Sequence, residues 1–123
     1  MSPTTDSLTD AADAENAAIF TYGVLTAFVS ATRRSTVEDN LTAHRAARDA
    51  VNDAITKAGG TPPEPAAGYP LPLTVNDPVS AAKAALAAEV DCTVAYRSVL
   101  EKAESGSART LGVCLLYTSP SPR

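Results

Sequence analysis

Thr61-Pro62-Pro63-Glu64-Pro65-Ala66-Ala67-Gly68-Tyr69-Pro70-Leu71-Pro72-Leu73-Thr74-Val75-Asn76 divides the chain into two halves. Proline lacks a backbone N–H and clashes with the preceding turn, so this stretch cannot be helical. Gly59-Gly60 precedes it, and glycine tolerates the left-handed position that ends a helix. Asp77-Pro78 follows it and reads as an N-cap and first helical residue. Tyr69, Leu71 and Leu73 alternate with proline or polar positions, so this long connection is expected to lie against the body it crosses.

Outward from the connection, both flanks turn helical. Val37, Leu41, His44, Arg48, Val51 and Ile55 recur at steps of four and three. That predicts a helix over about 36–58, with Ser35 and Glu38 as a capping box. Arg45 and Asp49 are expected to pair on its outer side. Leu8, Ala11, Glu15, Ala18, Tyr22, Leu25 and Val29 predict an earlier helix over about 8–31. Val79, Ala82, Leu86, Glu89, Thr93, Tyr96 and Leu100 predict a third over about 78–104. Ser105-Gly106-Ser107 breaks it, and a fourth begins near Ala108. The fold class expected is an all-α, up-down helical bundle with a long Pro-rich crossover between its second and third helices.

Helices one and three repeat a pattern. Ala14-Glu15 is followed by Tyr22, and Ala88-Glu89 by Tyr96, at an offset of 74 residues. Within each helix the tyrosine lies about 10 Å along the axis from its glutamate. If iron were bound at the glutamates, neither tyrosine is expected to be a ligand on that spacing.

The last ten residues, 114–123, differ in character. Back-translated, Cys114-Leu115-Leu116-Tyr117-Thr118-Ser119-Pro120-Ser121-Pro122-Arg123 resembles a sequencing-library adapter. The expectation is a single domain over 1–113, cut as its fourth helix begins, with an adapter-derived tail at 114–123.

Composition narrows the function. The net charge is −4, with scattered lysines and arginines, so nucleic acid is not expected as a partner. No apolar run is long enough for a membrane span. Met1–Asp10 lacks the pattern of a secretory signal, which makes a cytoplasmic setting the expectation. No phosphate loop or nucleophile set is present to point to a reaction.

Three polar residues sit on the apolar stripes: Glu15, His44 and Glu89. A buried carboxylate is costly unless paired or metal-bound, which leaves two readings. One is a metal site formed by Glu15, His44 and Glu89, holding iron or another divalent transition metal. The other is a core polar network of Glu15, His44, Arg48, Glu89, Tyr22 and Tyr96 that fixes the register of the bundle. Cys92 reads as a small buried hydrophobe.

Ala14-Glu15 through Tyr22-Gly23, His44-Arg45-Ala46-Ala47-Arg48-Asp49, the crossover from Pro62-Pro63 to Tyr69-Pro70-Leu71-Pro72, and Ala88-Glu89 through Tyr96 carry a resemblance. The chain resembles a ferritin-like domain family of unknown function from high-GC bacteria, over about Asp10 to Val113. The resemblance implies the bundle and lends no reaction. Ferritin-like di-iron proteins place a Glu three residues before such a histidine, and here Leu41 stands there. The functions expected are a structural or interaction bundle, a metal-binding bundle, or a small-ligand carrier. A homo-oligomer or a protein partner goes with the first.

Overall fold

The computed structural model describes residues 2–104 and 106–118. Among them are four α-helices and no strand: α1 (Pro3–Leu25), α2 (Arg34–Lys57), α3 (Pro78–Lys102) and α4 (Gly106–Thr118).

Capping chemistry explains most of the boundaries. α1 starts earlier than expected because Ser2 and Thr5 form a reciprocal capping box with Pro3 at the first helical position. It also ends earlier, at Leu25, where three-residue bonds such as Phe28 N–H to Leu25 O take over. α2 starts at Arg34, behind Arg33, which offers no side-chain cap, so the Ser35–Glu38 box is not formed. At its other end Gly60 N–H bonds Ile55 O and Gly59 N–H bonds Thr56 O, with Gly59 at φ 88°. That pair is a Schellman motif and requires glycine at the left-handed position. α3 opens on the expected cap, with Asp77 and Ser80 as a capping box and Pro78 behind it. α4 begins at Gly106 and runs to Thr118, with Leu115 and Leu116 packed on the edge of the core. The remainder of the expected tail, 119–123, lies outside the described residues.

α1 is the central helix and packs against both α2 and α3. It runs antiparallel to both: Glu15 meets His44 of α2, while Thr4 meets Glu104 just beyond α3. The buried faces of α1 and α3 are rich in alanine, with Ala11, Ala12 and Ala18 on α1 and Ala81, Ala84, Ala85 and Ala88 on α3. Small side chains let the backbones approach closely, and that reverses one expectation. Val79 and Leu86, expected on the core stripe of α3, point outward at 64% and 53% exposure. The alanines are buried because the space is narrow, and the larger residues are left outside.

α4 packs chiefly on α3 and only weakly on α2. A cavity of about 660 Å³ remains between α1, α2 and α4, lined by Leu8, Ala54, Lys57, Glu104 and Leu111 among others. The crossover behaves as expected. Tyr69, Leu71 and Leu73 are half-buried between exposed neighbours, and the Tyr69 ring lies 6.0 Å from that of Phe20.

Candidate functional site

The three stripe residues converge in the core. Glu15 is 1% exposed, His44 1% and Glu89 5%. His44 Nδ1 lies 2.7 Å from Glu15 Oε1, and His44 Nε2 lies 2.5 Å from Glu89 Oε1. The imidazole therefore sits between two carboxylates and meets each with a different nitrogen. A carboxylate only accepts, so satisfying both bonds takes a proton on each ring nitrogen. Burial by itself lowers the His44 pKa, but the hydrogen bonds to Glu15 and Glu89 outweigh it and push the pKa up to about 9. A pKa of about 9 leaves the His44 ring protonated at neutral pH.

Around it lies a second ring of donors. Tyr22 donates its hydroxyl to Glu89 Oε1 at 2.7 Å and stacks obliquely on His44, with ring centroids 5.2 Å apart. Asn40, one turn before His44, lies near the Tyr22 hydroxyl and pulls its pKa the other way. Cys92 Sγ donates to Glu15 Oε1 at 3.0 Å. Burial, then the neighbouring Glu15, pushes the Cys92 thiol pKa upward. Burial, then the nearby carboxylates, likewise raises the pKa of both Tyr22 and Tyr96. The Tyr96 hydroxyl is buried beside Glu15 but makes no hydrogen bond of good geometry.

The tyrosines reach the glutamates, as the polar-network reading has them, but not along their own helices. Each is about 10 Å from the glutamate on its own helix. Because α1 and α3 are antiparallel, each is instead brought opposite the glutamate of the other helix: Tyr22 to Glu89, and Tyr96 beside Glu15. The repeat thus becomes a pseudo-two-fold relation across the core.

Arg48 is a correction to that reading. It does not join the network but reaches along the surface, bonding Asp49 at 3.1 Å. A second buried cation would have had no third carboxylate to meet. Asp49 is therefore engaged by Arg48 rather than by the expected Arg45. Cys92 is a member that the sequence reading missed. Cys92 could have been found from its position three residues after Glu89, once the antiparallel register placed it opposite Glu15.

The donor set bears on metal binding. Glu15, His44 and Cys92 bring ligand atoms within 4.8 Å of one another. Glu89 meets the opposite ring nitrogen, so in this arrangement Glu15, His44 and Glu89 do not share one point. Leu41 packs against the core where a further carboxylate would be needed. An ion at this cluster would have to displace the protons that the imidazole and the thiol hold. As arranged, the residues fit a proton-bearing centre and not a carboxylate-bridged metal pair.

The profile of a domain of unknown function, DUF4439, matches residues 7–121. The chain belongs to the DUF4439 family. A conserved hypothetical protein from Mycobacterium tuberculosis is similar in structure, with a TM-score of 0.91 and 35% identity over 95% of this chain and 89% of that one. A dodecameric thioferritin, the bacterioferritin-related protein of Bacteroides fragilis, is similar with a TM-score of 0.78 and 20% identity, over 94% of this chain and 77% of that one. No curated protein matches the sequence. The fold of this DUF4439 chain is an all-α, ferritin-like helical bundle. Among its described residues no helix is long and apolar enough to cross a membrane.

Proposed function

We propose that this ferritin-like chain is a structural and self-associating module whose core is held by a protonated histidine. The observation that carries the reading is the engagement of both His44 nitrogens by Glu15 and Glu89. A cation is required between the two buried carboxylates, and the imidazolium supplies it. The network then sets helix register and leaves the outer faces available for assembly. The description of the Bacteroides fragilis neighbour as a dodecamer supports a homo-oligomer. A cytoplasmic setting is part of the proposal.

Nitrogen-15 NMR of the His44 ring tests the core. Two protonated nitrogens at neutral pH are expected. A deprotonated, metal-shifted nitrogen would sink the reading.

A second reading, a single transition-metal ion, has the Glu15, His44 and Cys92 cluster behind it. These donors would hold an ion after His44 gives up its Nδ1 proton and Cys92 its thiol proton. Elemental analysis of protein from iron-supplemented cells separates the two. A stoichiometric metal that is lost in Glu15→Ala supports the second reading and defeats the first.

A further inference from the structure

We infer that the outward face of α3 is a self-association surface, taking the same face of a second copy antiparallel across a two-fold axis. The inference rests on the homo-oligomer part of the proposed function and names its interface.

Val79, Leu86, Val90 and Val94 are 64%, 53%, 52% and 60% exposed. Steps of seven, four and four residues place them in one line along α3. The outer face of α2, by contrast, carries Glu38, Asp39, Arg45 and Asp53, which is an ordinary solvated surface. A contiguous apolar row on an outer helix marks an interaction surface.

The charges on the same line identify the occupant. Lys83, Arg97 and Glu101 are exposed on this side; Arg97, one turn before Glu101, would stand opposite Ala87 of the second copy, and Lys83 and Glu101 stand 18 positions apart. That is five full turns, so they share one side of the helix about 27 Å apart. The midpoint of Lys83 and Glu101 is position 92, and so is the midpoint of Val90 and Val94. A two-fold axis crossing α3 at that level therefore does two things at once. It sets Val90 against the second copy's Val94, twice. It also sets Lys83 against the second copy's Glu101, twice. A parallel pairing would instead oppose like charges at both ends. Antiparallel helix dipoles add in the same sense. A face that is complementary to itself about one axis is what an isologous dimer requires.

Sedimentation equilibrium of the full chain tests this, with far-UV circular dichroism and thermal midpoint measured on each variant. Wild type is expected to self-associate. Val90→Glu is expected to be monomeric with unchanged helicity, because the side chain is exposed, and with a midpoint that no longer rises with protein concentration. Lys83→Glu and Glu101→Lys are each expected to weaken association by about tenfold, counting two pairs per interface. The double exchange is expected to restore it. An oligomer unaffected by Val90→Glu would overturn the surface while leaving self-association standing. A monomeric wild type would defeat both. Failure of the double exchange to rescue, with Val90→Glu still disruptive, would overturn the antiparallel pairing.

Discussion

Tyr22 on α1 donates its hydroxyl to Glu89 on α3, while Tyr96 on α3 lies beside Glu15 on α1. The two halves of the internal repeat exchange partners across the core, and His44 bridges the two carboxylates between them. The exchange is not symmetric in energy. Tyr22 completes its hydrogen bond, whereas the Tyr96 hydroxyl is buried without one.

That asymmetry separates two conservative substitutions. Tyr22→Phe removes a bond to a charged acceptor and is expected to cost about 1.5–3 kcal/mol. Tyr96→Phe removes a buried hydroxyl that has no well-formed bond, and is expected to be neutral or slightly stabilising. Urea denaturation of the two variants checks this. Equal losses would contradict the geometry.

His44 gives the fold a pH dependence. Its folded pKa, about 9, is raised above its ordinary value of 6.5. A raised pKa means that the folded state holds the proton more tightly. The stabilisation is therefore fully present below about pH 6.5 and is lost as pH rises through about 9. On the order of 3 kcal/mol is involved. The thermal midpoint is expected to fall between neutral pH and about pH 9, and to lose that slope in His44→Gln. A midpoint flat across this window would contradict a charged imidazole.

Glu15→Ala leaves the imidazolium with one carboxylate and the Cys92 thiol with only the Ala14 carbonyl, at 3.6 Å. A loss of about 3–5 kcal/mol is expected, as for other broken buried ion pairs. Replacing Glu15, His44 and Glu89 together by leucine removes all the charge at once, and its cost is expected to be smaller than that of the single change. Chemical denaturation of both variants decides it. A triple variant worse than the single would mean that the network contributes more than its desolvation costs.

The cysteines are expected to differ in reactivity. Cys92 is buried with its thiol pKa raised, while Cys114 is exposed on α4. A thiol reagent such as Ellman's is expected to modify Cys114 at once and Cys92 only on unfolding. Rapid reaction of both would show that the core opens in the native state.

Much of this was legible in the residues. Prolines and glycines marked the crossover, and three polar positions on three apolar stripes marked the centre. Both signals are local and survive without knowledge of packing. What failed needed distances between helices. Heptad spacing put Arg48 on the same stripe as His44, but spacing does not say how many carboxylates wait inside. It also put Val79 and Leu86 in the core, because large apolar residues are presumed to be buried. The alanine face of α3 took that place, since closeness to α1 selects for size as well as polarity. Distance along a helix says nothing of the register between helices, which brings each tyrosine to the other helix's glutamate. The α1 cap was overlooked because Ser2 and Thr5 lie in what reads as a polar leader.

The partner exchange between Tyr22–Glu89 and Tyr96–Glu15 has a consequence for how the chain comes apart. The first hairpin, α1 with α2, holds Glu15 and His44 but lacks the Glu89 carboxylate that both Tyr22 and His44 Nε2 meet. The second half holds Glu89 and Cys92 but lacks the histidine. Neither half can bury its own polar groups without leaving one unmatched. Intermediates with one half formed are thereby penalised, and the duplicated arrangement melts as one cooperative unit instead of two.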